Sequence, residues 1–292
     1  MSENRSLSFY VLGAFFCAYV LFLYGPMIAI YILSFQGPDG GLTFPMNGVS
    51  LTWFAKVFSG GGIVDIGAAF RRSLQLGFVV MVITVVLSVA AGMAFRKSFR
   101  GATVLFYTAI ASLIMPSIIT SLGIALEFRL LDDLMNWLGI AGWTTAMGLF
   151  TSGLGAHLTW TLPFGLLIMF AIFNRFDARL EEAARDLGAT PWQTFRHVVL
   201  PIILPSVIGI GLFGFTLSWD ELARSSQAIG SVNTLPLELQ GLTTTVTQPD
   251  IYARGTLTSA VSFLVIFSAL AVILVLQARQ RRHGSDAGKG MV

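Results

Sequence analysis

The sequence predicts an all-α integral membrane protein, and three observations carry that prediction. Of 292 residues, 55% are hydrophobic and 11% are charged, and the mean hydropathy is +0.77, far above that of a soluble domain. The apolar residues gather into six continuous runs rather than alternating strands. Each run is close to the ~20 residues that a helix needs to cross a hydrocarbon core of about 30 Å. Lipid offers no water to backbone N–H and C=O groups, so each run must close its hydrogen bonds internally as a helix.

The first run, Phe9 to Leu33, is longer than the apolar part of a signal peptide, and no small-residue cleavage pattern follows at Ser34-Phe35-Gln36. It is therefore expected to be an uncleaved span. Its Cys17, the lone cysteine, is expected to pack rather than form a disulfide or hold a metal. An external loop from Ser34 to Arg72 follows, with turns at Gly37-Pro38-Asp39-Gly40-Gly41 and Gly60-Gly61-Gly62 around a short interfacial helix, Leu51 to Phe58. Residues 1–72 form this first unit. Five further spans, Ser73 to Phe95, Ala102 to Leu126, Ala146 to Phe173, Ile202 to Trp219 and Thr256 to Leu276, build a core over 73–276. The tail, 277–292, is basic and then Gly-rich, and is expected to fray.

Pro26, Pro116, Pro163 and Pro205 lie inside spans, where a missing N–H predicts a kink or a local break. Around Pro116, Ser112, Ser117, Thr120 and Ser121 make a polar cluster that favours helix contact or a wet pathway over lipid. Orientation follows from the basic residues. With both termini inside, the cytoplasmic segments carry twelve Lys and Arg (Arg5; Arg96, Lys97, Arg100; Arg175, Arg179, Arg185, Arg196; Arg279, Arg281, Arg282, Lys289) and the external ones six (Lys56, Arg71, Arg72, Arg129, Arg224, Arg254). Only the Arg71-Arg72 pair opposes this locally. The net charge of +3 forms no basic stripe, so nucleic acid is excluded as a partner.

The segment from about 177 to 201 is polar and doubly punctuated. Asp177 can cap a helix from Ala178 to Leu187, with Glu181 and Glu182 near its positive end, and Gly188 ends it. Thr190-Pro191-Trp192-Gln193 then reads as a capping box with proline at the first helical position. A second short helix follows, with an apolar face of Trp192, Phe195 and Val199, until Leu200-Pro201 enters the fifth span. Two readings stay open on these features: an interfacial re-entry helix that anchors the loop, and a surface that engages a soluble partner.

Glu182-Ala183-Ala184, Gly188 four positions on, and nine residues then leading to Val198 and Leu200-Pro201 resemble the EAA loop of permease subunits of bacterial binding-protein-dependent ABC importers. Val198 stands where that family usually has isoleucine. Leu51-Thr-Trp-Phe, Arg72-Ser-Leu-Gln, Met115-Pro-Ser-Ile-Ile-Thr-Ser-Leu-Gly, Ala156-His-Leu-Thr-Trp-Thr-Leu-Pro-Phe and Phe215-Thr-Leu-Ser-Trp-Asp-Glu are similar to the second permease of spermidine/putrescine importers. The resemblance implies a type I ABC importer permease (MetI-like) fold with six transmembrane helices in the bacterial inner membrane. It implies a cytoplasmic coupling helix in which Glu182, Ala183, Ala184, Gly188, Leu200 and Pro201 engage an ATPase. It also implies a second permease, two ATP-binding subunits that hold ATP and magnesium, and a periplasmic solute-binding protein. Ser117 departs from the pattern, because many polyamine permeases carry an acid after that proline.

Asp220 and Glu221 stand at the outer end of the fifth span, where an ionisable pair is costly unless solvated or partnered. They are read either as attracting a cation, with Trp219 adding a cation–π face, or as capping the helix in water and pairing with Arg224. His157, and Trp160 beside it, are secondary candidates for the path, against a plain packing role. Scattered histidines (His157, His197, His283), one cysteine and the lack of a GxxxxGK[ST] phosphate loop leave no catalytic constellation, so this chain is read as non-catalytic and without its own cofactor. The rival class is an autonomous secondary transporter or channel for a small cation, with Asp220 and Glu221 as ion-coupling groups. A membrane-embedded enzyme ranks last.

Overall fold

The computed structural model describes residues 7–59, 66–140, 142–245 and 249–287. Arg5, Lys289 and the Gly60-Gly61-Gly62 turn lie outside them. Every regular element among the described residues is helical, apart from one isolated antiparallel bridge between Gln36 and Val49. The helices are α1 (Leu7–Leu33), α2 (Thr52–Phe58), α3 (Ile66–Phe95), α4 (Ala102–Ile114), α5 (Ser117–Trp137), α6 (Leu154–Phe173), α7 (Arg179–Asp186), α8 (Pro191–Thr194), α9 (Leu200–Trp219), α10 (Ser225–Ala228), α11 (Leu235–Thr245) and α12 (Asp250–Ala287). Five helical stretches are long and apolar enough to cross a membrane, and a sixth results if α4 and α5 are counted as one bent pair.

Five expectations change. The third span is not one rod: α4 and α5 meet at 113° across Met115-Pro116, because proline donates no hydrogen bond and drives the residue before it into extended geometry, here Met115 at φ −68°, ψ 132°. The second short helix of the 177–201 segment does not stop at Leu200-Pro201. It continues through a π-helical turn, Phe195–Val199, into α9, so that Pro191–Trp219 is a single 29-residue stretch. In that turn the Leu200 N–H reaches back five residues to the Phe195 carbonyl, a widened register that accommodates the prolyl nitrogen next to it. The tail does not fray at Leu276, since α12 runs on to Ala287. Arg71 and Arg72 belong to the first turns of α3, and the Arg72 Nε donates to the Asn233 carbonyl at 2.8 Å. Cys17 is exposed on α1 rather than packed.

The chain forms two compact units. One comprises residues up to Gly67 and Glu238–Val261. In it, the buried Gln36 side chain bridges its own loop, donating to the Gly41 carbonyl and accepting from the Asn47 N–H, and the Tyr252 hydroxyl donates to the Leu42 carbonyl at 2.7 Å. An Asp250–Arg254 ion pair at 2.9 Å braces the start of α12.

The other unit, Ala68–Leu237 with residues from Ser262 on, is built on α3, α6 and α9. Met169, Val199, Ile203 and Ile210 form its buried centre, with Val85, Val89, Phe173 and Val207 packed around them. In a lipid-facing bundle the approach of helices depends on small residues and interhelical hydrogen bonds. Both are present: Thr84 and Thr161 bond at 2.8 Å between α3 and α6, and Gly165 admits Ser88 so closely that a Cβ there would lie 2.0 Å from its Oγ.

Candidate functional site

The α7–α8 segment is held together by its own backbone and cap. Asp177 Oδ1 accepts from the Arg179 N–H at 3.0 Å, the bond that an N-cap makes to the second residue of a helix starting at Ala178. At the other end Gly188 sits at φ +85°, the Ala189 N–H reaches the Ala184 carbonyl and the Gly188 N–H reaches the Arg185 carbonyl. This pair of bonds is the Schellman arrangement, which needs a left-handed residue that glycine adopts without Cβ strain. The predicted capping box is present: Thr190 Oγ1 accepts from the Gln193 N–H, and Gln193 Oε1 accepts from the Thr190 N–H at 2.8 Å. Two helical axes therefore meet at a sharply defined corner.

That corner is bare. Leu187 is 90% exposed, Trp192 65% and Leu180 46%, three bare apolar side chains on a segment otherwise rich in charge. Glu182, Ala183 and Gly188 are also exposed and Ala184 half-buried, whereas Leu200 and Pro201 are half-buried where the chain joins α9. The buried residue of α7 is Glu181, one position before the predicted motif. It pairs with Arg96, at the end of α3, at 2.5 Å and with Arg185 at 3.3 Å. Sequence inspection placed Glu181 only as a dipole-favoured acid. Its partner lies 85 residues away, and no local spacing announces it.

At the opposite end of α9 the predicted path residues converge on an unexpected centre. Arg224, at 0% exposure, donates from Nη1 to Ser117 Oγ at 2.8 Å and from Nε to Thr159 Oγ1 at 3.3 Å. It pairs with Glu221 at 3.5 Å and places its Cζ 4.4 Å from the Trp160 ring centroid. Burial pushes the guanidinium below its usual pKa range, and the neighbouring Glu221 charge pulls it back up. Ser121 Oγ donates to the Arg224 carbonyl at 2.7 Å and accepts from the Gln227 N–H, tying α10 to α5.

His157 is part of the same network. Its Nε2 lies 2.9 Å from Ser225 Oγ and its Nδ1 2.7 Å from Ser218 Oγ. The Ser225 proton is directed to the Glu221 carbonyl, so Nε2 donates to Ser225 Oγ, while Nδ1 bonds the Ser218 hydroxyl. Trp219 is fully buried, stacked on Phe215 at 5.8 Å and edge-on to Phe70 at 5.5 Å, so in this conformation it offers no cation–π face to a passing ion. Asp220 alone of the predicted pair is exposed. The structure thus brings Ser117, His157 and Glu221 together around a resident cation and leaves Trp219 and Asp220 apart from it. Among the described residues no group of three or more His, Cys, Asp or Glu is placed to hold a metal ion.

Comparison with known proteins aligns with this architecture. The family model described as "Binding-protein-dependent transport system inner membrane component" matches residues 84–284. The chain is 28% identical over 276 residues to the spermidine/putrescine transport system permease protein PotC of Haemophilus influenzae, covering 94% of this chain and 99% of that one. It is 30% identical over 264 residues to the putrescine transport system permease protein PotI of Escherichia coli, covering 89% of each. Among solved structures, a bacterial ABC transporter that imports the acidic polysaccharide alginate superposes with a TM-score of 0.63 at 16% identity, over 94% of this chain and 95% of that one. The MetNI methionine ABC transporter in inward-facing conformations gives 0.54 at 18% identity, over 70% and 93%.

Proposed function

The chain belongs to the binding-protein-dependent transport system inner membrane component family, and from that premise we propose that it imports polyamines as one half of an ATP-driven pore. It is a multi-pass, non-catalytic permease subunit with the MetI-type fold. A second, similar permease completes the pore, two ATP-binding subunits hold ATP and magnesium, and a periplasmic solute-binding protein delivers cargo. The basic-residue count supports a cytoplasmic position for both termini and the α7–α8 corner.

The observation that carries the coupling role is the bare corner. Leaving Leu180, Leu187 and Trp192 exposed on either side of the glycine turn is costly in water and calls for a protein partner. Glu182, Ala183, Ala184 and Gly188 form the docking segment, and Leu200 and Pro201 join it to α9. Spermidine or putrescine as cargo is supported by the relatives' substrates over most of the chain. On this reading Asp220 attracts the cation at the outer mouth. Glu221, neutralised by Arg224, shapes the path together with Ser117, His157 and Trp219.

The test is Leu187→Glu. The side chain is exposed, so the fold is retained, but a carboxylate now faces the partner's apolar groove. Co-purification with the ATPase and binding-protein-stimulated ATP hydrolysis are both expected to fall at least tenfold. Unchanged association would overturn the docking role. Gradient-driven cation flux through the isolated chain in liposomes would favour an autonomous carrier instead.

A further inference from the structure

We infer that Arg96 is a positioning residue that makes α7 and α3 move as one body, so that a displacement imposed at the α7–α8 corner enters the bundle through α3 as well as through α9. The inference rests on the proposed docking of an ATPase at that corner. Covalently, α7 leads only to α6 on one side and, past Gly188, to α8 and α9 on the other. Its link to α3 is made by side chains. Arg96 directly follows α3, and its Cζ lies 5.0 Å from the ring centroids of both Phe173, at the end of α6, and Phe176 just beyond it; the two rings touch each other edge-on at 6.1 Å and form an aromatic seat for the cation. From there Nη1 reaches Glu181 Oε1 at 2.5 Å, with the two side chains only 19% and 10% exposed.

Glu181 is the buried side chain of α7, and the rest of that helix is exposed or half-exposed. α7 also packs on α8 and on the π turn that leads into α9, but its link to the α3 end is this charge-assisted contact, whose partial burial makes separation of the two charges unfavourable. The α3 end is itself firmly seated, since a Cβ on Gly92 would come within 2.7 Å of Met169 Cβ and 3.0 Å of the Phe173 ring. Arg185 adds a second contact to Glu181 at 3.3 Å, but it lies on α7 itself and cannot transmit anything to α3.

The test uses the full complex of both permeases and two ATPase subunits in lipid nanodiscs, with Cys17→Ser and nitroxides at the exposed positions Lys97 and Asp186. The distance between the labels is read by pulsed electron resonance without nucleotide and with ATP bound to a hydrolysis-deficient ATPase. With the native pair, one narrow distance is expected in both states. With Arg96→Gln or Glu181→Gln, the two states are expected to differ, or the distribution to widen at least twofold, while ATP hydrolysis persists with reduced transport per ATP. A native distance that changes between states overturns the inference without any variant. So do Gln variants whose distances and transport per ATP match the native protein. Failure of the native complex to assemble is a separate result and removes the docking role on which the inference stands.

Discussion

Replacement of Gly188 separates backbone geometry from side-chain contact at the corner. A Cβ built there meets nothing within 4 Å, so no clash accompanies the substitution. The cost comes from φ +85° alone. For an L-residue the left-handed region costs roughly 1–2 kcal/mol, with Asn the most tolerant. At about 1.4 kcal/mol per factor of ten, Gly188→Ala reduces the native turn roughly 5- to 30-fold relative to competing backbone conformers. Apparent affinity for a partner that binds only the native corner then falls by up to that factor. Titration of the reconstituted permease with purified ATPase subunit is expected to rank Gly, Asn, Ala and Val in falling order, with β-branched Val lowest. Equal binding by Gly188→Val and the native protein would refute the premise that the Schellman turn presents the corner.

Other predictions concern the interior and are read by thermal unfolding in detergent. Arg224→Met leaves Glu221, whose side chain is 11% exposed, without its counter-ion, and is expected to destabilise by about 3–5 kcal/mol; adding Glu221→Gln should restore much of the loss, and no restoration would mean the pair is not the source. His157→Leu strands the Ser218 hydroxyl and should cost about 1–3 kcal/mol, or roughly 2–4 °C of melting temperature per kcal/mol, with His157→Gln intermediate. Gly165→Ala drives a methyl to 2.0 Å from Ser88 Oγ and should cost about 1–3 kcal/mol, part of which Ser88→Ala recovers; an unchanged melting point would show that α3 and α6 are not in close contact there.

What was legible in the sequence was what local chemistry dictates. Apolar run length gave the spans, and the Thr190-Pro191-Trp192-Gln193 box and Gly188 gave the corner, because a cap is written within four or five residues. The depth of the break at Met115-Pro116 was not legible. Proline licenses anything from a bend to a reversal, and the 113° turn depends on what packs against α5. Continuity between α8 and α9 was hidden because Leu200-Pro201 looks like a stop until a π turn absorbs it. Arg224 stood in the sequence as a basic loop residue and a possible partner of the acids. Only folding makes it the buried hub for Ser117, Thr159, Trp160 and Glu221, which come from three separate stretches of chain. The Arg96–Glu181 contact was invisible for the same reason.

Pro191–Trp219 is an unbroken helical shaft of 29 residues, which at 1.5 Å per residue is about 43 Å from tip to tip. One tip emerges at the bare corner, and the other abuts the Arg224–His157 network through Ser218. Rotation of such a shaft by about 10° around one tip sweeps the other through about 7 Å, more than one full helical turn's rise. Bonds of 2.7 to 2.9 Å at the His157 end cannot stretch over that distance. A tilt at the corner therefore confronts the far network with two discrete outcomes, intact or exchanged, and a smooth push becomes a stepwise event at the other side of the membrane.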